Sequence, residues 1–222
     1  MNTRRTELVI RREEITAAAA LLMPILQKEQ FLTCLYLEST IILNLKMEYQ
    51  MKAIKLIKGQ KFNYFRTTCF VVENFEKITP RTFKLVVDSL ISKVIKIVLV
   101  NNDSCRKRNL HKFIPSICKA IEGREGILNI HNFKISRKSL QRLITSARSL
   151  ESISLNNCEV EFDGMKFHPR TNFQIKKIEI SNCISKDRPD SEICPSDVDS
   201  LFTCINECSL SYCLDSLSVT YV

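Results

Sequence analysis

A short apolar signature returns along the chain. In LESISLNNC, Leu150 to Cys158, apolar residues stand at Leu150, Ile153, Leu155 and Cys158 with polar residues between them, and Val160 extends the pattern. The x-apolar-x-apolar-x heart of this window has a period of two, which predicts a strand with one buried face. Sliding the window along the chain finds IKKIEISNC (Ile175, Ile178, Ile180, Cys183) 25 residues later and EGILNIHNFKI (Leu128, Ile130, Phe133, Ile135) 25 residues earlier. VIKIVLVNN (Val94, Ile97, Leu99, Asn102), TTCFVVENF (Phe70, Val72, Phe75) and LDSLSVTYV (Leu214, Leu217, Val219, Val222) complete a set of six. The predicted strands lie near 70–72, 97–99, 128–130, 153–155, 178–180 and 217–219, at steps of 27, 31, 25, 25 and 39 residues. One match to so loose a pattern is cheap by chance. Six at near-regular steps indicate an internal repeat.

The segments between these windows predict helices. Lys77 to Leu99 lies over Lys134 to Leu155 with one inserted residue, and each segment has a hydroxyl near its start, Thr79 and Ser136. Such a hydroxyl can accept hydrogen bonds from the free amides of a helix N-terminus. Apolar residues then recur at helical spacing: Phe83, Val86, Val87 and Leu90 in one, Leu140, Leu143, Ile144 and Ala147 in the other. A third helix is expected through Leu110, Phe113, Ile117 and Ile121, distorted or shortened by Pro115, and a fourth through Val198, Leu201, Phe202 and Ile205, opened by Pro195-Ser196-Asp197. The unit is therefore strand, turn, helix. Two repeats deviate, through EFDGMKFHPRTN after Cys158 and a polar insertion, KDRPDSEICPSD, after Cys183.

Leu150 to Val160 closely resembles the leucine-rich-repeat pattern Leu-x-x-Leu-x-Leu-x-x-Asn/Cys-x-Leu, and Cys158 and Cys183 at the turn resemble the cysteine-containing and ribonuclease-inhibitor-like subclasses. The resemblance covers roughly Lys61 to Val222; Glu125, Phe75 and Phe133 depart from it. It implies an α/β solenoid, a horseshoe with parallel strands on its concave face and helices on its convex face, whose repeats stack because none can bury its apolar side alone. The turn Cys is expected to pack inside and satisfy backbone groups that no ladder reaches.

The expected division is an N-terminal helical cap over 1–60 followed by the repeat domain over 61–222. Thr6 to Gln27 and Phe31 to Lys58 both read as amphipathic helices, yet Leu32-x-x-Leu35-x-Leu37-x-x-Thr40-x-Ile42 also fits a degenerate first repeat. At the other end the chain stops on the last position of a repeat, which reads as a fragment of a longer protein or an edge that pairs with a partner.

Composition and charge sharpen this picture. With 45% apolar residues the chain can bury a sizeable core, which excludes disorder. Ten cysteines, mostly single and among apolar neighbours, read as buried thiols of a reducing, intracellular compartment, most simply the cytoplasm. The apolar run Ile15 to Leu26 is too short to span a bilayer, and Glu7, Glu13 and Glu14 argue against a cleaved leader. Residues 1–60 carry a net charge of +3, residues 61–150 a net +12 and residues 151–222 a net −6.

No phosphate-binding glycine loop, nucleophile elbow or His-Glu-x-x-His helix occurs, so the expectation is a non-enzymatic protein without cofactor or metal. Cys194, Cys204, Cys208 and Cys213 have the number of thiolates a zinc ion needs but no Cys-x-x-Cys knuckle. The expected partner-binding surface is the outward side of the strands: Lys96, Val98 and Val100; Ile127, Asn129 and His131; Ser152, Ser154 and Asn156; Lys177, Glu179 and Ser181; then Ser216, Ser218 and Thr220. Such a mildly polar ladder with apolar residues at Val98, Val100 and Ile127 suits a protein partner. The rival reading is a polyanion, nucleic acid or acidic lipid, bound by Arg106, Lys107, Arg108, Lys112 and Lys119, with Arg137, Lys138, Arg142 and Arg148 in the next helical segment.

Overall fold

Windows of alternating apolar and polar residues run as short parallel strands, and the fold is α/β. The computed structural model describes residues 7–9, 34–38, 69–73, 75, 78–88, 95–103, 107–147, 149–162, 175–185, 199, 201, 203, 205 and 214–220. The chain divides into two units, Met1–Asn102 and Asp103–Val222. No helix among the described residues is long and apolar enough to cross a membrane.

In the first unit, β1 (Glu7–Val9), β2 (Cys34–Glu38), β3 (Cys69–Glu73) and β4 (Lys96–Val100) are parallel neighbours in that order. Leu35 aligns with Phe70 and Phe70 with Ile97; Leu37 aligns with Val72 and Val72 with Leu99. Phe70, Val72, Ile97 and Leu99 are buried. Helix α1 (Pro80–Val87) opens with Thr79, whose Oγ1 accepts the Thr82 N–H at 3.1 Å and shares a hydrogen bond with the Thr82 hydroxyl at 2.8 Å. Pro80 stands at the first helical position, where its missing N–H is not needed. Phe83 then meets Phe75 edge to face, with ring centres 5.2 Å apart.

The helical reading of residues 1–60 is corrected at β1 and β2, which are strands. Leu35-x-Leu37 has the alternation of a strand and the register of Phe70-x-Val72, and pairing in a sheet overrides a weak helical period. The remainder of Thr6 to Gln27 and Phe31 to Lys58 lies outside the described residues.

In the second unit, β6 (Ile127–His131), β8 (Ser152–Asn156), β10 (Lys177–Ser181) and β12 (Ser216–Thr220) form parallel neighbours without a register slip. Leu128, Ile153, Ile178 and Leu217 make one row, and Ile130, Leu155, Ile180 and Val219 the next. The first three members of each row are buried. The sheet is not curled. A second parallel sheet of very short strands runs beside it in the order β11 (Ile184–Ser185), β9 (Glu159–Val160), β7 (Phe133–Ile135), β5 (Arg108–Asn109).

From β6, β8 and β10 the link to the second sheet is one or two residues long and begins with asparagine. Asn132, Asn157 and Asn182 each follow a five-residue strand and hold φ of 66°, 51° and 53°. This left-handed conformation strains most L-residues but is tolerated by Asn. The turns stack: the Asn132 N–H donates to the Asn156 carbonyl and the Asn157 N–H to the Ser181 carbonyl, both at 2.9 Å. The strand starts repeat as faithfully. The amides of Glu151 and Ser152 share the Gly126 carbonyl, those of Lys176 and Lys177 the Glu151 carbonyl, and those of Asp215 and Ser216 the Lys176 carbonyl.

Helices α2 (Ile114–Ile121) and α3 (Arg137–Ser146) pack against one another. Ser136 caps α3 by accepting the Ser139 N–H at 3.4 Å, and its hydroxyl meets that of Ser139 at 2.9 Å, repeating the Thr79–Thr82 arrangement. Pro115 sits in the first turn of α2 and opens the helix rather than distorting it; Leu110 and Phe113 fall in the preceding turn, still buried. Gly123, at φ +66°, ends α2 in the left-handed conformation that glycine adopts without strain. Asp199, Leu201, Thr203 and Ile205 are helical, with Leu201 and Ile205 buried.

Candidate interaction surfaces

Alternation along the strands sets what the outer face displays. Burying Leu128 and Ile130 turns Ile127, Asn129 and His131 the other way, and all three are half-buried. Ser154, Asn156, Glu179 and Ser181 are half-buried as well, while Lys177, Ser216 and Ser218 are exposed. Register then arranges these residues in rows: Asn129, Ser154, Glu179 and Ser218 form one, and His131, Asn156, Ser181 and Thr220 another. Lys177 and Glu179, two apart on the same side of β10, form an ion pair, so their charges offset each other locally.

Ser152 is the correction on this face. It is 8% exposed, too little to serve as a contact. Its small side chain lies in register between the larger Ile127 and Lys177, which shade it. In the first unit, Lys96 is exposed and Val98 and Val100 are half-buried. Val71, the register partner of Val98, sits on the side opposite Phe70 and Val72 and is nevertheless buried. The alternation of CFVVE carried that information, since Val71 is the apolar residue out of phase.

The basic cluster is less uniform than its sequence implies. Arg106 lies outside the described residues. Lys107 is half-buried. Arg108, in β5, places its guanidinium 4.7 Å above the Phe113 ring, where the cation meets the electron-rich face. Lys112 precedes α2 and Lys119 stands on it, and both are exposed. On α3, Lys138 and Arg142 are exposed while Arg137 is half-buried, its backbone N–H donating to Glu161 Oε2 at 3.2 Å. Arg148 lies outside the described residues.

The turn cysteines serve as fillers with a hydrogen to donate. The Cys158 thiol points at the carbonyls of Asn156 (3.3 Å) and Ile130 (3.6 Å), and the Cys183 thiol at those of Ser181 (3.3 Å) and Leu155 (3.6 Å). The Cys158 N–H donates to Cys183 Sγ at 3.3 Å. Burial pushes the Cys158 thiol well above its ordinary range and raises Cys118 too, which disfavours the reactive thiolate. Phe75 and Phe133 occupy the same turn position as these cysteines and are fully buried, so the departures from the repeat pattern are substitutions of filler.

Among the described residues no group of three or more His, Cys, Asp and Glu side chains is placed to hold a metal ion. Cys194, Cys204, Cys208 and Cys213, the thiols weighed for zinc, lie outside the described residues. No protein-family model, no curated protein and no solved structure matches this chain.

Proposed function

We propose that the chain is a non-enzymatic interaction scaffold of leucine-rich-repeat type that binds a protein partner through the outer side of its strands. The observation that carries this reading is the fixed register of β6, β8, β10 and β12. It lines up side chains from four strands at a constant spacing, about 4.8 Å from strand to strand. Ser154, Asn156, Ser181 and Ser218 are short and uncharged, so a partner approaches without stranding a buried charge. Rigid strands supporting small polar groups make a surface already organised for binding.

The test is affinity purification of the tagged full chain from its native cell, followed by mass spectrometry, with Asn156→Arg and Ser154→Arg beside the unaltered protein. A partner lost from both variants, at unchanged melting temperature, supports the reading. A partner retained by both refutes it.

A further inference from the structure

Two of the turn fillers are neighbours in space as well as equivalents in sequence. Asn156 aligns with Ser181 just before the turn, and Glu159 aligns with Ile184 just after it. Cys158 and Cys183 therefore occupy matching places between two fixed register pairs. Adjacent parallel strands are about 4.8 Å apart, and a disulfide spans a Cα separation of about 4.4–6.8 Å. The side chains agree with the backbone. Cys183 Sγ accepts the Cys158 N–H at 3.3 Å, and the Cys183 thiol reaches the Leu155 carbonyl at 3.6 Å, on the strand that leads into Cys158. One sulfur thus stands directly against the residue that carries the other.

The two thiols are not equivalent. Cys158 is fully buried, and burial pushes its thiol well above the ordinary range. Cys183 is 6% exposed, and its hydrogen bond with Cys158 lowers its thiol, with the charge of Lys107 acting in the same direction. The thiolate is the reactive form, so Cys183 is the sulfur that attacks and Cys158 the one that resolves. Two thiolates fall short of the four that a structural zinc ion takes, and among the described residues no group of three or more ligand side chains is placed to hold a metal.

We infer that Cys158 and Cys183 form a reversible dithiol–disulfide site that takes a hydroperoxide as its oxidant. The Cys183 sulfur attacks one peroxide oxygen, the O–O bond breaks, and Cys183 becomes a sulfenic acid while water or an alcohol leaves. The Cys158 sulfur then attacks the Cys183 sulfur and displaces the hydroxyl, which leaves as water with the Cys158 proton. Two thiols are oxidised by two electrons and one peroxide is reduced. The burial of both sulfurs selects a small oxidant such as hydrogen peroxide. The new bond ties the turn after β8 to the turn after β10. It also withdraws both thiol hydrogens from the carbonyls of Asn156 and Ser181. A thiol reductant restores the pair by exchange.

The test treats the reduced full chain with hydrogen peroxide, once folded and once unfolded in urea. Free thiols are then blocked with iodoacetamide in denaturant, and the chain is digested with trypsin without reduction. Cleavage after Arg148, Lys166, Lys177 and Lys186 puts the two cysteines on separate peptides, 149–166 and 178–186. In the folded chain these two peptides are expected as the main linked pair, released by dithiothreitol, whereas the unfolded chain gives mixed linkages among its cysteines. Dimedone, which traps sulfenic acid, is expected to label Cys183 in Cys158→Ser and to leave Cys158 unlabelled in Cys183→Ser. Where a variant fails to fold, the map of the unaltered chain decides alone. Both cysteines recovered as blocked thiols from the folded chain would overturn the inference, as would linkage of either to a different cysteine, or the same linkage pattern folded and unfolded.

Discussion

The turn at Phe133 and the turns at Cys158 and Cys183 share one backbone and differ in what fills it. All three follow an asparagine at positive φ, and all three fillers are buried. The phenyl ring occupies the space by volume. The thiols occupy less of it and direct their hydrogens at carbonyls of their own and the preceding strand. The repeat thus specifies a conformation and a degree of burial at this position, and leaves the chemistry of the filler open.

Removing the filler should separate the two solutions most sharply. Phe133→Ala is expected to cost about 3–5 kcal/mol, because a large buried ring leaves a cavity. Cys158→Ala is expected to cost about 1–2 kcal/mol, the worth of a hydrogen bond and a little packing. Denaturant melts of the two variants measure this, and equal losses would show that volume does not distinguish the turns.

The strands provide the scale for that comparison. Leu155, 1% exposed, should lose about 2–5 kcal/mol on truncation to Ala, whereas half-buried Ser154→Ala should stay within about 0.5 kcal/mol. Similar melting shifts for the two would mean that β8 is out of register.

The shared backbone can be tested by itself. Asn157→Ala places an alanine at φ 51° and is expected to cost about 1–2 kcal/mol. Asn157→Gly loses the same 3.4 Å contact to Asn132 yet should be nearly neutral in comparison, since glycine adopts this φ freely. An alanine variant as stable as the glycine one would remove conformation as the reason for asparagine here.

A smaller effect distinguishes thiol from ring through pH. Because burial raises the Cys158 pKa, the folded chain holds this proton more tightly than the unfolded chain, whose cysteine titrates near about 8.5. Its contribution is complete below that pH and declines as pH rises above it. Stability measured from pH 7 to 10 should therefore fall less in Cys158→Ala than in the unaltered protein. Parallel pH profiles would rule out the buried thiol as a titrating group.

The longer strands were legible because five residues are enough to show a period of two, and LESISLNNC and IKKIEISNC are 25 residues apart with every constrained position kept. Both hydroxyl caps were legible, since Thr79 and Ser136 stand where a helical period begins and accept the amides expected of them. The second sheet was not, because Glu159–Val160 and Ile184–Ser185 are two residues long and carry no period. Ser152 was misread because alternation fixes which side a residue takes but not how far its neighbours shade it. The asparagines held an unused signal: Asn74, Asn101, Asn132, Asn157 and Asn182 each come directly after a five-residue strand. The outer side of the strands was legible only as a set of positions, and its ligand is decided by chemistry that small polar side chains share with any surface.

The carbonyls of Gly126, Glu151 and Lys176 each receive the next strand in the same two-pronged way. That makes chain length a quantised variable. Excising residues 152–176, 25 in all, would carry Glu151 directly into Lys177. Because β6 and β10 each pair with β8 in the same phase, they would then meet with Leu128 opposite Ile178 and Ile130 opposite Ile180. Duplicating the same segment would add a strand without disturbing either neighbour. A gene encoding such a chain can grow or shrink by whole units while every apolar row stays intact, whereas a single-residue insertion inside a strand would reverse the facing of all that follows in it.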